Sequence, residues 1–168
     1  MSTQTSIDIR TLKRGDVQRF RDLLRLFGDV FDMPDAYHHN QPDDFYLEGL
    51  LASPDFIAVT AEIRGTGDIS SQTVGGLCAY VMRKFEQRRS EIYIYDLAVH
   101  SQFRRQKVAT RLINRIQDIA AETGVYVIFV QADGDDEPAK ALYCSLGVEE
   151  HVCHYDIPPT GHEPLGKR

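Results

Sequence analysis

Three basic side chains lie close together where a strand-like run meets a helix-like run: Arg104, Arg105 and Lys107. Cations at a helix N-terminus oppose the helix dipole by about 0.3–1 kcal/mol each, and a bound anion would relieve this conflict. Free backbone N–H groups combined with cations form a phosphate site. The position after a strand and before a helix therefore favours a diphosphate ligand. The alternative is that these charges are solvated on a loop.

A single carboxylate interrupts an apolar face of the strand that is predicted over residues 90–99. With strict alternation, Asp96 shares its face with three apolar residues: Ile92, Ile94 and Ala98. Desolvation on such a face raises the pKa of a carboxyl group, which suits a general base. Two alternatives stay open: a buried aspartate satisfied by backbone donors, or a β-bulge that turns the side chain outward. Glu91 lies on the other face and is the weaker candidate.

Four acidic residues follow a continuous apolar run within five positions: Asp133, Asp135, Asp136 and Glu137. Clustered carboxylates suit a cationic ligand, and ligands of α/β sheets bind beyond the carboxyl ends of strands. Acids at the start of a helix also stabilise its dipole, and one of them is expected to cap it. Both interpretations stay open, and they can hold for different residues of the cluster.

The elements that must position these groups follow from hydrophobic periodicity. Apolar runs predict strands at residues 7–12, 56–63, 73–85, 90–99, 125–130 and 148–157. The run at 125–130 is continuously apolar, which predicts burial on both faces. Helices are predicted after Asp16, after Asp43 or Asp44, from about Arg104 to Glu122, and from Pro138 to Leu146. A central hairpin and later strand–helix alternation predict an α/β (α+β) fold with a mixed sheet.

Length and composition narrow the class of protein. The chain of 168 residues predicts one domain over residues 1–157, followed by a loosely ordered tail at 158–168. Lys and Arg total 19 against 25 Asp and Glu, and this net charge of −6 argues against nucleic-acid or anionic-membrane partners. No apolar run approaches the ~18 residues of a membrane span. The polar N-terminus, three distant cysteines and six histidines without ligand spacing predict a cytoplasmic protein with reduced thiols and no metal site.

Three segments together resemble the GNAT acyltransferase family: residues 93–99 (YIYDLAV), 103–109 (FRRQKVA) and 139–147 (AKALYCSLG). The resemblance covers roughly residues 7–157. It implies the GNAT fold, a mixed central sheet that splays to bind acetyl-CoA as cosubstrate. Where the family has Arg/Gln-x-x-Gly-x-Gly/Ala around the pyrophosphate, this chain has Arg104, Lys107 and Ala109. Lys107 replaces the usual glycine, and lysine disfavours the positive φ that glycine tolerates.

The same resemblance implies roles for individual residues. Backbone N–H groups of Leu97, Ala98 and Val99 would hold the thioester and pantetheine. The phosphates of acetyl-CoA would contact the segment Arg104, Arg105, Gln106, Lys107, Val108, Ala109 and Thr110. Asp136 stands where many relatives have an asparagine near the pantetheine, and Tyr143 would reach the CoA sulfur. Without the resemblance, Tyr143 is a core aromatic at helical spacing. Asp96 would accept the amine proton directly or through water.

Longer segments resemble the type I aminoglycoside 3-N-acetyltransferases: residues 85–99, residues 130–139 and Gln41-Pro42-Asp43. This resemblance implies direct acetyl transfer to the 3-amino group of gentamicin-type aminoglycosides, antibiotic resistance and a homodimer. The residues that would bind the cationic drug are Glu91, Asp96, Asp133 and Asp135. Two alternatives stay open: an acetyltransferase for polyamine or protein amines that uses the same CoA site, and a noncatalytic CoA-binding sensor of the same fold.

Overall fold

The structure, a computed structural model, describes residues 6–64 and 71–161. The chain divides into two compact units, Met1–Gln131 and Ala132–Arg168. A single domain over residues 1–157 stays a prediction. Most of the predicted tail at 158–168, and most of the predicted hairpin turn at 64–72, lie outside the described residues.

The first unit is built on a sheet whose five described strands are β1 (Ile7–Thr11), β2 (Phe56–Ile63), β3 (Gln72–Arg83), β4 (Ser90–Val99) and β5 (Val127–Val130). The spatial order is the chain order, β1-β2-β3-β4-β5. The first four strands pair antiparallel, and β5 pairs parallel to β4. A parallel pair needs a crossover connection, which a helix provides here. The predicted mixed sheet is therefore confirmed.

The α-helices of the described chain are α1 (Val17–Phe31), α2 (Asp44–Ala52), α3 (Val108–Thr123) and, in the second unit, α4 (Glu137–Cys144). A π-helical turn at Asp35–His39 follows α1, and a 3-10 turn at Ser101–Phe103 follows β4. Asp43 caps α2 by accepting from the Tyr46 N–H at 2.9 Å. Gly124 ends α3 in the left-handed conformation, with φ of 71°. No helix within these ranges is long and apolar enough to cross a membrane.

Two adjacent glycines of β3 allow helices to approach both faces of the sheet. A Cβ atom on Gly76 would lie 2.2 Å from Leu23 Cδ1 of α1. A Cβ atom on Gly75 would lie 3.0 Å from Val108 Cγ1 of α3. Because neighbouring residues of a strand point to opposite faces, these contacts define an α1 face and an α3 face. Fully buried apolar side chains fill the two layers: Leu23, Phe27, Leu77, Ile92, Ile94, Leu112 and Ile116.

The predicted burial of residues 125–130 on both faces is wrong. The strand spans only Val127–Val130, and Val127 and Phe129 remain 37% and 36% exposed. In the register of the β4–β5 pair, Ile128 lies opposite Ile92 on the α3 face. Val127 and Phe129 point to the other face. Burial of β5 is thus one-sided because α3 packs against only one of its faces.

The predicted last strand over residues 148–157 is also wrong, since these described residues form neither strand nor helix. Val148 and Ile157 are 95% and 87% exposed. A strand is stabilised by pairing along an edge and by cross-strand side-chain contacts, which an alternating sequence does not supply by itself. The helix predicted to run to Leu146 ends at Cys144.

Candidate active site

A β-bulge in β4 determines the face on which Asp96 lies. Cys78 of β3 pairs with Asp96, whereas Ala79 pairs with Ile94, so Tyr95 is an extra residue on β4. Ala79 shares the α3 face with Gly75, and Cys78 shares the α1 face with Gly76. Asp96 therefore lies on the α1 face, opposite to the face of Ile94.

This register corrects the strict alternation predicted from the sequence. Ile92 and Ile94 lie on the α3 face, whereas Asp96 and Ala98 lie on the α1 face. The β-bulge, one of the two alternatives to strict alternation, is the arrangement present. It does not turn the carboxylate into solvent, because Asp96 remains only partly exposed. Tyr95, the extra residue, is 54% exposed instead.

In the part of the chain that the structure describes, one side chain hydrogen-bonds to Asp96. The Tyr37 hydroxyl donates to Asp96 Oδ2 at 3.0 Å. Burial raises the pKa of Asp96 above its ordinary value, and the Tyr37 hydrogen bond opposes part of that rise because it favours the charged form. The predicted direction of the shift is confirmed. A carboxylate with a raised pKa is a stronger base than a solvated aspartate.

Tyr37 is the site residue that the sequence did not predict. It lies in the π-helical turn, and its ring packs against Phe27 and Phe31 of α1 with centroid distances of 5.8 and 5.9 Å. Burial, and then the charge of Asp96, raises the pKa of Tyr37 far above its ordinary value, so the phenol keeps its proton. The only sequence signal was a polar loop between two helices, which is too general to single out one tyrosine.

The other groups that titrate near Asp96 come from β3 and β4. Burial raises the pKa of the Cys78 thiol, and the charge of Asp96 raises it further. Burial is also the main cause of the raised pKa values of Tyr80 and Tyr93, with smaller effects that include the charge of Asp96. These three groups are therefore uncharged at neutral pH. Within the described residues, burial and Tyr37 are the influences on the pKa of Asp96.

Glu91 has a different environment. The bulge places it on the α1 face together with Asp96, contrary to the predicted opposite faces. Glu91 Oε1 lies 3.4 Å from Lys84 Nζ, and its side chain is 15% exposed. Its charge is thus balanced within the protein, whereas no described cation pairs with Asp96.

The two edges of β4 differ along its length. The ladder with β5 runs only from Glu91 to Ile94, while the ladder with β3 continues to Val99. From Tyr95 onward, the edge that faces away from β3 has no strand along it in the described chain. Leu97, together with Ala98 and Val99, lies on this open edge. Unpaired backbone groups there can hydrogen-bond the amides of a linear ligand.

The basic segment, residues 104–110, has an unusual backbone. Arg105 and Lys107 both have φ of 62°, and Lys107 is the N-cap of α3. Left-handed backbone costs a non-glycine residue about 1–2 kcal/mol. Lys107 nevertheless adopts the conformation that glycine usually provides. These two residues also explain why α3 begins at Val108 rather than at the predicted Arg104, since an α-helix cannot pass through positive φ.

The start of α3 is electrostatically suited to an anion. No described side chain caps it, and its first turn contains no acidic residue. Two side chains hold the segment: Arg104 Nε donates to the Val99 carbonyl at 3.2 Å, and Gln106 Nε2 donates to the Gln102 carbonyl at 3.1 Å. Arg105 and Lys107 are exposed. Backbone N–H groups at a helix N-terminus beside exposed cations bind phosphate.

The open edge and the basic segment fit the two chemically different parts of acetyl-CoA. The edge at Leu97–Val99 offers backbone groups to the pantetheine amides. The N-terminus of α3 offers N–H groups of Val108, Ala109 and Thr110 to the phosphates. No cluster of three or more His, Cys, Asp or Glu side chains within residues 6–64 and 71–161 is arranged to hold a metal ion.

Two of the four acidic side chains in the cluster of the second unit are engaged in local structure. Asp136 is the N-cap of α4 and accepts from the Ala139 N–H at 3.0 Å. Glu137 pairs with Lys140 at 2.8 Å. The predicted capping role is therefore confirmed for one member. Asp133 and Asp135 are exposed, and their backbone carbonyls accept from Asp136 N and Glu137 N.

Tyr143 lies in the last turn of α4 and is half-buried. Burial, followed by the charge of Asp136, raises the pKa of its phenol. A phenol with a raised pKa retains its proton at neutral pH and can donate a hydrogen bond, but it gives up the proton less readily than free tyrosine.

The sheet opens beside a bulged strand, and a helix N-terminus suited to phosphate follows that strand, as the resemblance to the GNAT family implies. The chain belongs to the acetyltransferase (GNAT) family, whose sequence model matches residues 20–148. GCN5-related N-acetyltransferase 10, chloroplastic, from Arabidopsis thaliana is 27% identical over 86% of this chain. The chain spans 64% of the length of that plant protein.

Solved structures extend the comparison. An aminoglycoside acetyltransferase from an uncultured soil metagenomic sample is 46% identical, with a TM-score of 0.85 over 92% of this chain and 99% of its own. A second soil metagenomic aminoglycoside acetyltransferase, solved in complex with sisomicin, is 31% identical, with a TM-score of 0.81 over 92% of this chain and 97% of its own. The predicted GNAT fold and the aminoglycoside-type relatives are thus confirmed. The aminoglycoside N-acetyltransferase AAC(6')-Iy in complex with CoA shares the fold, at 16% identity and a TM-score of 0.72.

Proposed function

We propose that this GNAT acetyltransferase moves the acetyl group of acetyl-CoA to the 3-amino group of gentamicin-type aminoglycosides and thereby confers resistance to them. The observation that carries the proposal is the half-buried Asp96 carboxylate, held by Tyr37 beside the open edge of β4. The relatives at 46% and 31% identity support the acceptor class, because both are aminoglycoside acetyltransferases. The 3-amino position is supported by the resemblance of residues 85–99 and 130–139.

The electrostatics of the first unit favour a cationic acceptor. Asp96 is a carboxylate without a described cationic partner, in a neighbourhood of uncharged groups. An ammonium group brought beside it would supply the missing opposite charge in a partly desolvated environment, where such a pair interacts more strongly than in water. The net charge of −6 adds a longer-range attraction for a polycation.

Each part of the mechanism has a candidate residue in this chain. Acetyl-CoA supplies an acetyl group that is activated as a thioester. The open edge at Leu97–Val99 orients the pantetheine, and the basic segment binds the phosphates. Asp96 accepts the proton that the acceptor amine must lose to become nucleophilic. For Tyr143 of the second unit, the role is the one that the family resemblance implies: it would donate a hydrogen bond to the sulfur as negative charge develops on it.

Direct attack by the amine fits the cysteine chemistry of the described chain. An acetyl-cysteine intermediate would require a thiolate nucleophile. Cys78, the cysteine beside Asp96, is buried, and burial raises the pKa of its thiol. Asp96 adds negative charge next to it, which further disfavours the thiolate. Asp96 is therefore suited to act on the amine and not to activate Cys78.

The test is the position of the acetyl group on the product. We expect incubation with acetyl-CoA and gentamicin to give a product that is heavier by one acetyl group, with the 3-amino group assigned by two-dimensional NMR as the modified amine. Sisomicin serves as a second acceptor. Acetylation at the 6'-amine would contradict the regiochemistry while leaving the acceptor class intact. Absence of turnover with every aminoglycoside would contradict the acceptor class.

A further inference from the structure

We infer that Tyr37 is a positioning residue, which orients the Asp96 carboxylate. Two sets of contacts hold Tyr37 against α1, one through Gln41 and Arg21 and one through His38 and Gly28, and together they are called the lock. The inference rests on the proposed function, in which Asp96 is the base. Tyr37 and Asp96 are 59 residues apart in sequence, so their hydrogen bond depends on where the turn packs. Among residues 6–64 and 71–161, Tyr37 is the one side chain that donates a hydrogen bond to this carboxylate, so the orientation of Asp96 depends largely on that donor.

The first part of the lock acts on the backbone of Tyr37. Gln41 Nε2 donates to the Tyr37 carbonyl at 2.7 Å. Arg21 of α1 donates from Nη1 to Gln41 Oε1 at 2.9 Å, and from Nη2 to the Pro42 carbonyl at 3.0 Å. The turn is thus tied to α1 at the residue that carries the phenol and at the residues that follow the turn.

The second part of the lock is the packing of the His38 ring directly against Gly28 of α1. His38 Nε2 donates to the Arg25 carbonyl at 2.8 Å and lies 3.3 Å from Asp29 Oδ1. A Cβ atom on Gly28 would lie 2.2 Å from His38 Cδ2 and 3.1 Å from Tyr37 Cβ. An alanine at position 28 must therefore displace His38, and the adjacent Tyr37 with it. Gly28 is required here for close approach rather than for backbone conformation.

The titratable groups that face Asp96 determine how its pKa should respond to substitution. They are Tyr37 from the turn, Cys78 and Tyr80 from β3, and Tyr93 from β4. Among these, only Tyr37 donates a hydrogen bond to the carboxylate. Its hydroxyl stabilises the charged form of Asp96, so its removal raises the pKa of Asp96. A residue that only supports packing would not change that pKa when its ring is retained.

The experiment compares Tyr37→Phe with Tyr126→Phe across a pH series of kcat/KM with gentamicin. Both substitutions remove one phenolic oxygen and keep the ring, and Tyr126 instead lies under the Arg89 guanidinium at 4.2 Å. For Tyr37→Phe we expect the acid limb of the pH profile to move up by about 1–2 pH units, which is the scale of one hydrogen bond to a charged group. The matched control should superimpose on the wild type. Titration of the substrate amine is common to all variants and cancels in the comparison.

Direct titration of Asp96 tests the contact without requiring activity. In protein labelled with ¹³C-aspartate, the carboxyl resonance that disappears in Asp96→Asn identifies Asp96. The pH midpoint of the Asp96 titration should be higher in both Tyr37→Phe and Gly28→Ala than in the wild type. An unchanged midpoint in Tyr37→Phe would overturn the positioning role, and an unchanged midpoint in Gly28→Ala would overturn the lock.

The outcomes separate the inference from the proposed function. If Asp96→Asn loses turnover and Tyr37→Phe shifts neither the acid limb nor the midpoint, the inference fails while Asp96 remains the base. If Asp96→Asn keeps near-native turnover, the proposed base is wrong, and the NMR midpoint alone decides whether Tyr37 controls the carboxylate.

Discussion

Asp96 and the basic segment follow one another along the chain, yet they rely on different parts of it. At Asp96 the chemistry depends on one side chain, which is partly buried and held by a 3.0 Å hydrogen bond from Tyr37. In the basic segment the side chains are exposed, and the specific feature is backbone shape, with φ of 62° at Arg105 and Lys107. A function that depends on one side chain is lost by a single substitution. A function shared among backbone groups and several cations weakens in small steps.

The largest effect is therefore expected from Asp96→Asn, which retains the shape and removes the base. Loss of a general base typically lowers rates by about 10²–10⁴-fold, and we expect kcat/KM for gentamicin to fall within that range. Affinity for acetyl-CoA, measured by calorimetry, should change little because the basic segment is intact. Near-native turnover would shift the base to another carboxylate, with Glu91 and Asp133 as the next candidates.

Thermal stability provides the control for Asp96→Asn. The pKa of Asp96 is raised in the folded protein, so folding disfavours its charged form. The contribution of this carboxyl group to stability is present at low pH and is lost as the pH rises through the folded-state pKa. Asp96→Asn should thus raise the melting temperature at pH 7, and the gain should vanish below about pH 3.9, the ordinary pKa of aspartate. A lower melting temperature at pH 7 would contradict this reading.

A smaller loss is expected from Tyr143→Phe, which again tests a single side chain. A thiol with a pKa near ~8.5 is a fair leaving group without help, and tyrosine near ~10 is the weaker acid. Because the pKa of Tyr143 is raised further, its phenol acts by hydrogen bonding and not by full proton transfer. We expect kcat to fall by about 10–100-fold, with KM for gentamicin little changed. A defect larger than that of Asp96→Asn would make the phenol an obligatory acid.

The smallest effects are expected at Lys107. Two substitutions there separate the contribution of the side-chain charge from that of the backbone conformation. Lys107→Ala and Lys107→Gly both remove the ammonium, and both should weaken CoA binding severalfold or less, with a smaller loss at high salt. Only Lys107→Gly relieves the strain of the positive φ. Its free energy of unfolding should therefore be about 1 kcal/mol larger than that of Lys107→Ala. Chemical denaturation and CoA titration measure both quantities. Equal stability of the two variants would show that the segment imposes no backbone strain.

The same contrast explains what the sequence could predict. A lone acid in an apolar strand and a basic cluster before a helix are local patterns, and they predict roles for Asp96 and for Arg104, Arg105 and Lys107, whereas the rest of residues 104–110 comes from the family resemblance. The bulge at Tyr95 is set by pairing with β3, and the contact from Tyr37 is set by packing across 59 residues, so neither has a local signal. The sequence pattern predicts the start of α3 four residues too early, because the positive φ of Lys107 is a property of the folded loop.

The most direct test of the account is thiol release from acetyl-CoA with gentamicin, with spermidine and without acceptor, for the wild type and for Asp96→Asn. We expect rapid release with gentamicin, little with spermidine or without acceptor, and a loss of about 10²–10⁴-fold in the variant. Faster release with spermidine than with gentamicin, or no release with any aminoglycoside, would contradict the proposed acceptor. Full release by Asp96→Asn would contradict the proposed role of the carboxylate.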